Sequence, residues 1–384
     1  MIRSPLDADD TRATGDGLKA LGLAVSETEG AWCVTGRGGV IPGGGELALG
    51  ASGTSARFLV ALAALGVAPS RLDGTPRLRE RPMGELIDAL VAAGARVEAS
   101  EGGRLPLVAG GAPPRGGRLV VAGNRSSQFA SALLLVASAC PRGIELVVTP
   151  PRVSWPYVLM TIEMLEAFGG RVEAVDEGTL VVPPQRLAAT TVEIEGDHSS
   201  TSYALAATMI LGGRMTVLGL RTESVQPDAR FLRDLARLGA RVSEGRPGLV
   251  IEAEGAIPPF AWDLSDAPDL APAAAVVALF ATGPCTLSGL AHLRVKESDR
   301  VEALRGNLVR MAARVQVSEG TIVIDPPGAA IRGATIDTMG DHRIAMAFAV
   351  AGLKVPGVTI DDADVVAKSY PEFWRDFEAW TVNS

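Results

Sequence analysis

Leu90-Val91-Ala92-Ala93-Gly94-Ala95-Arg96-Val97 closes a helical pattern, turns on a glycine and opens a strand, and the chain returns to this phrase repeatedly. It reads LKALGLAV from Leu18, LEAFGGRV from Leu165, LARLGARV from Leu235 and LVRMAARV from Leu308, with an echo, FEAWTV, from Phe377. Successive copies start 72, 75, 70, 73 and 69 residues apart. Gly (Ala in the fifth copy) follows the last helical turn, where a residue able to take the left-handed conformation ends a helix. The Val after it begins a strand, so the fixed period marks a repeated structural unit.

A second phrase recurs with the same period: a small polar cluster followed by an almost wholly apolar helix. The copies begin at Ser52 (SGTSARFLVALAALG), Ser126 (SSQFASALLLVASA), His198 (HSSTSYALAATMILGG), Asp266 (DAPDLAPAAAVVALFATG) and Gly340 (GDHRIAMAFAVAGL). A helix that is apolar on every side is buried. Each unit therefore predicts one buried helix, one amphipathic helix and short strands between them. Six units, three to a domain, give two α/β cores of ordinary domain size. The boundary falls between Glu193 and Gly196, with residues 1–193 forming the first domain and 194–384 the second. The same spacing puts the buried helix of the first unit upstream of Met1, so the first repeat is expected to lack a strand and that helix.

Composition narrows what such a chain can hold. Its 384 residues carry 36 Lys plus Arg against 44 Asp plus Glu, a formal net charge of −8. A net acidic field argues against a nucleic-acid or anionic-membrane surface, so an anionic ligand has to be held by locally converged cations. The longest apolar runs, such as Leu270 to Thr282, are too short to span a bilayer, and the first residues have no signal-peptide pattern. Cys33, Cys140 and Cys285 lack metal-ligand spacing and read as buried, reduced thiols of a cytoplasmic protein. The expectation is a monomer with small-molecule substrates, no cofactor and no metal.

The densest charge cluster is His292-Leu293-Arg294-Val295-Lys296-Glu297-Ser298-Asp299-Arg300, directly before an amphipathic run through Val301, Leu304, Leu308 and Met311. In isolation such a stretch is explained as a solvated first turn whose acids complement the helix dipole. The chain's only lysines, however, are Lys19, Lys296, Lys354 and Lys368. A lysine kept inside an arginine-rich cluster points to a place where a compact ammonium matters. Arg79-Glu80-Arg81-Pro82, Arg152 to Tyr157, and Lys368-Ser369-Tyr370-Pro371 sit at the matching phase of other units. Ser, Thr and Asp are simply good N-caps at any one of the buried helices. Five such starts in phase, each leaving N–H groups and a positive dipole end outside a core, predict a crevice for phosphates and carboxylates.

Together these segments are specific enough to carry a resemblance. Gly50 to Arg57, Arg79-Glu80-Arg81-Pro82, Ser126-Ser127-Gln128-Phe129, Gly196-Asp197, Pro268-Asp269, Arg294 to Arg300, Gly340-Asp341-His342-Arg343 and Lys368-Ser369-Tyr370-Pro371 resemble the 5-enolpyruvylshikimate-3-phosphate synthases, the 3-phosphoshikimate 1-carboxyvinyltransferases, in order from about Asp9 onward. The resemblance implies a two-domain inside-out α/β barrel of repeated βαββαβ units. It implies transfer of the enolpyruvyl group of phosphoenolpyruvate to the 5-hydroxyl of shikimate 3-phosphate, releasing phosphate, in the biosynthesis of chorismate and aromatic amino acids. Carried over by position, Ser126, Ser127, Gln128, Ser154, Tyr157, Asp269, His292 and Lys296 would hold shikimate 3-phosphate. Gly53, Arg81, Gln128, Arg300, Arg343 and Lys368 would hold phosphoenolpyruvate, with Asp269 and Glu297 moving protons.

The chain departs from the family pattern in three places. The family's Lys-Ser-x-Ser/Thr segment belongs to the missing first helix, the usual Asn near 292 is His292, and the usual Asn at 51 is Ala51. A truncated or non-catalytic homologue of the same fold is therefore one alternative. The sister enzyme that acts on UDP-N-acetylglucosamine is another, but its loop cysteine has no counterpart among Pro76, Arg77, Leu78, Arg79 and Glu80.

Overall fold

In the computed structural model, which describes residues 1–245 and 248–382, the residue that follows the last helical turn in each of the five full copies of the phrase is left-handed. The angles φ are 84° at Gly22, 96° at Gly94, 75° at Gly169, 105° at Gly239 and 77° at Ala312. The next N–H then reaches back to the carbonyl of the phrase's leading leucine: Leu23 to Leu18, Ala95 to Leu90, Gly170 to Leu165, Ala240 to Leu235 and Ala313 to Leu308, at 2.8 to 3.1 Å. This is the six-to-one closure that satisfies an orphan carbonyl at a helix end. A strand follows each, at Ala24–Thr28, Val97–Ser100, Glu173–Ala174, Arg241–Glu244 and Arg314–Ser318. The echo at Phe377 lies inside a helix, Phe373–Val382.

The chain divides into two units, Met1–Ile194 and Glu195–Ser384. The first holds helices α1 (Asp9–Ala20), α2 (Gly53–Ala64), α3 (Pro76–Glu80), α4 (Gly84–Ala92), α5 (Ser127–Ala137) and α6 (Trp155–Ala167). The apolar helices α2 and α5 pack on each other, burying Leu59, Val60, Leu133 and Leu134. Each is the crossover between two parallel strands, Glu46–Ala48 with Ser70–Asp73 and Gly117–Ala122 with Ile144–Thr149. Two antiparallel strands complete each four-stranded sheet. A third sheet has the same pattern, except that Ile2–Arg3 takes its parallel partner, Val192–Glu193, from the far end of the unit.

The second unit holds α7 (His198–Leu211), α8 (Arg230–Arg237), α9 (Ala271–Leu279), α10 (Arg300–Arg310), α11 (His342–Gly352) and α12 (Phe373–Val382). The apolar α7, α9 and α11 touch one another pairwise. Every residue of α9 is buried, which an all-round apolar helix requires. A central helix bundle with sheets outside it is the inside-out arrangement, and each fully buried Val, Leu or Phe in it contributes about 1.5–3 kcal/mol.

Among the described residues no helix is long and apolar enough to cross a membrane, and no group of three or more His, Cys, Asp or Glu is placed to hold a metal ion. The reading of three buried thiols needs a correction. Cys140 and Cys285 are buried, but Cys33 is exposed, because it faces outward on the strand Ala31–Thr35.

Candidate functional site

In the second unit the charged residues gather at helix starts. Asp341 caps α11, accepting the Arg343 N–H at 3.0 Å, and has no exposed surface. Such a carboxylate has to be satisfied from within the protein. Arg300, the first residue of α10 and 1% exposed, does so. Its Nε donates to Asp341 Oδ2 at 2.7 Å, its Nη1 to Asp269 Oδ1 at 2.7 Å and its Nη2 to Glu297 Oε2 at 3.0 Å. A planar guanidinium with five donors can serve three carboxylates at once, which an ammonium cannot do in one plane. Ser298 Oγ adds a 3.1 Å bond to Asp341. Arg343 Nη2 lies 3.2 Å from Asp269 Oδ2, and Lys368 Nζ lies 3.5 Å from Glu297 Oε1. Each of the two outer carboxylates is thus bracketed by two cations.

The electrostatics keep Asp269, Asp341 and Arg300 ionised. Burial alone would raise the Asp269 pKa, but Arg343, Lys296 and Arg300 outweigh it and hold the carboxyl far below the usual carboxylate range. Asp341 is lowered in the same way: burial opposes the shift, and the charge of Arg300 prevails. For Arg300, burial works against the charge and the carboxylates of Asp341, Glu297 and Asp269 reverse it, lifting the pKa above its ordinary value. The histidines behave differently. Burial, followed by the Lys296 charge, pushes His292 down to about 4, and its Nε2 has no hydrogen-bond partner. Burial pushes His342 down to about 3, over the opposing charge of Asp341. Both imidazoles are therefore neutral at pH 7. Because Asp269 and Glu297 occupy the cations, an incoming anion has to exchange partners with them.

The first unit carries its own cationic corner. Gly53 starts α2, and a Cβ there would strike Arg81 Nη1 and lie 2.7 Å from Arg57 Nη1. Glycine is what allows two guanidinium groups to rest against this helix end. Arg81 and Arg57 are buried, 6% and 3% exposed, and Arg57 Nη1 donates to the Gly53 carbonyl at 2.8 Å. Two buried cations beside a positive dipole end favour an anion. Ser126 caps α5 by accepting the Gln128 N–H at 3.3 Å, and Ser127 is buried beside it. Gln128 Nε2 donates to Thr54 Oγ1 at 2.8 Å, joining the starts of α2 and α5. Ser154, buried and left-handed at φ 56°, starts α6. Tyr157 lies on its first turn, and Thr161 ties α6 to Ser131 of α5 at 2.7 Å.

The structure therefore brings Asp269, Glu297, Arg300, Arg343 and Lys368 together, with His292 and Lys296 on the turn that precedes α10. It gathers Gly53, Arg81, Gln128, Ser126 and Ser127 in the first unit, with Ser154 and Tyr157 at the neighbouring helix start. Sequence reasoning quoted Asp341 and Arg57 inside motifs but gave them no role. Asp341 was recoverable as the N-cap residue before an apolar helix, whereas Arg57 lies within a helix read only as core.

Comparison with known proteins adds the family. A model of EPSP synthase (3-phosphoshikimate 1-carboxyvinyltransferase) matches residues 1–377. A 3-phosphoshikimate 1-carboxyvinyltransferase of Syntrophobacter fumaroxidans is 40% identical over 380 residues, covering 98% of this chain and 90% of that protein. One of Methanoculleus marisnigri is 39% identical over 377 residues, covering 97% and 89%. A solved EPSP synthase structure from Acinetobacter baumannii superposes with a TM-score of 0.79 at 26% identity, covering 97% of this chain and 87% of the other.

Proposed function

This chain belongs to the EPSP synthase family, the 3-phosphoshikimate 1-carboxyvinyltransferases, and from that premise we propose how its residues divide the reaction. The reaction transfers the enolpyruvyl group of phosphoenolpyruvate to the 5-hydroxyl of shikimate 3-phosphate and releases phosphate, in aromatic amino acid biosynthesis. We assign shikimate 3-phosphate to Ser126, Ser127, Gln128, Ser154, Tyr157, Asp269, His292 and Lys296. Phosphoenolpyruvate goes to Gly53, Arg81, Gln128, Arg300, Arg343 and Lys368. The protein acts as a monomer in the cytoplasm, a compartment that suits its unpaired cysteines.

The chemistry follows from charge. Phosphoenolpyruvate is a compact, multiply charged anion, and guanidinium forks bind its phosphate and carboxylate bidentately. Glu297 delivers a proton to the methylene carbon, which makes C2 electrophilic. The 5-hydroxyl oxygen adds there while Asp269 takes its proton. The tetrahedral adduct then loses phosphate from C2, and a proton leaves the methyl group to Glu297, restoring the enol ether. Protons taken and given balance over the cycle, with one transferred from the 5-hydroxyl to the departing phosphate. The observation that carries this reading is the pair of carboxylates, Asp269 and Glu297, each bracketed by two cations that an anionic substrate can take over.

A phosphate-release assay tests it. Release that requires both substrates, and falls by about a hundredfold or more in Asp269→Asn and Glu297→Gln, is the expected result. Binding of both substrates by the wild type without phosphate release would point to a non-catalytic member of the family.

A further inference from the structure

Arg152 and Trp155 flank Ser154 and have no part in the reaction as assigned above. Ser154 starts α6 with φ 56° and ψ 32°, where an ordinary N-cap residue is extended. Its side chain makes no cap hydrogen bond to the helix, although the residue is only 4% exposed. A left-handed serine is strained and persists only where its surroundings over-determine it. Two backbone bonds contribute: the Val153 N–H donates to the Gly123 carbonyl at 2.9 Å, and the Tyr157 N–H to the Ser154 carbonyl at 3.2 Å. The first anchors the loop before Ser154 and the second lies within the turn itself, so neither ties Trp155, the residue after it, to the sheet.

Arg152 supplies that tie. Its Nε donates to the Val148 carbonyl at 2.8 Å, on the strand Ile144–Thr149, and its guanidinium carbon stands 5.7 Å from the centre of the Trp155 ring, within the range of a cation–π contact. The group also lies against Gly178, where a Cβ would strike Nη2 and sit 2.6 Å from Nε. The turn that carries Gly178 is shaped by Asp176 Oδ1, which accepts the N–H groups of Gly178 and Thr179 at 2.8 Å each, and the Gly178 carbonyl accepts from the Val148 N–H at 2.8 Å. Arg152 thus joins Trp155 to the sheet and closes the two residues between them, Val153 and Ser154, into a loop. We propose that Arg152 is a positioning residue: by pinning Trp155 it holds Ser154 left-handed, with the hydroxyl kept off the helix N–H groups and presented to shikimate 3-phosphate. A lysine would supply the charge but not a plane that stacks on the indole while Nε bonds the strand. This role rests on the assignment of Ser154 to shikimate 3-phosphate.

The test is Arg152→Leu, which keeps an apolar stem and removes the guanidinium, read by calorimetric titration with shikimate 3-phosphate and by steady-state kinetics. We expect the Kd for shikimate 3-phosphate to rise about tenfold, the size of one lost hydrogen bond to a charged group. The KM for phosphoenolpyruvate, and kcat at saturating substrate, should stay within about twofold. Trp155→Leu, which removes the ring and leaves the bond to Val148, should give the same split, and it decides the matter if Arg152→Leu does not fold. Ser154→Ala should itself raise the Kd about tenfold. Adding Arg152→Leu to it should raise the Kd no further, because the two changes remove one interaction. An unchanged Kd in Arg152→Leu, an equal rise in the KM for phosphoenolpyruvate, or effects that multiply in the double variant overturns the inference and leaves the proposed reaction intact. An unchanged Kd in Ser154→Ala overturns the assignment of Ser154, and the inference with it.

Discussion

Two residues show what a repeat tolerates and what it does not. Four of the five helix-ending positions are glycine, and the fifth is Ala312, held at φ 77°. A left-handed backbone costs an L-residue roughly 1–2 kcal/mol, and part of this is offset by the smaller freedom of alanine in the unfolded chain. Ala312→Gly should therefore stabilise the protein by about 0.5–1 kcal/mol in urea unfolding, and a loss of stability would show that the methyl group packs productively. The buried histidines set a pH limit. His292 falls from an ordinary 6.5 to about 4 and His342 from 6.5 to about 3. Below 6.5 the unfolded chain binds protons that the folded one refuses, so stability is complete above that pH and declines as pH falls toward 4. His342→Gln should flatten this decline by on the order of 2 kcal/mol between pH 6.5 and 4. An unaltered slope in Tm against pH would mean that other groups govern it.

At the scale of elements, two N-caps of the same type are doing unequal jobs. Asp197 caps α7 through the N–H groups of Ser199 and Ser200 at 2.9 and 3.1 Å and is exposed. Asp341 caps α11 and also neutralises buried Arg300. Asp197→Ala should cost about 1 kcal/mol, the worth of a cap. Asp341→Ala should cost about 3–5 kcal/mol, because it strands a guanidinium without one of its partners. Equal losses in denaturant titrations would refute the distinction. This difference also marks what was legible beforehand. Both caps could be read from an acid preceding an apolar helix, and the five buried helices from residues such as Ala271 to Leu279 that offer no polar face. The pairing of Arg300 with Asp269 and Asp341 was not legible, since it joins positions 31 and 41 residues apart through tertiary packing alone. Strands of two residues, such as Val192–Glu193 and Thr335–Ile336, are too short to show a period.

For the molecule as a whole, the net charge of −8 and the local cations act on the same substrate with opposite sign. The cations around Asp269 and Glu297 work over a few ångströms, inside any Debye length reached below 0.1 M salt; Arg300 is buried and Arg343 is only 12% exposed. Their attraction is therefore weakly screened. Most of the surface charge lies on the order of 20 Å from any one site in a chain of this length. Its repulsion of a multiply charged anion acts when the Debye length is about 30 Å, at 0.01 M, and is largely removed when it is about 10 Å, at 0.1 M. Salt should thus remove repulsion before it touches attraction. The KM for phosphoenolpyruvate should fall a few-fold between about 0.01 and 0.1 M potassium chloride, while kcat, which reads the bound state, stays level. If KM rises steadily over that range instead, the cationic cluster steers phosphoenolpyruvate from a distance and the acidic surface does not oppose it.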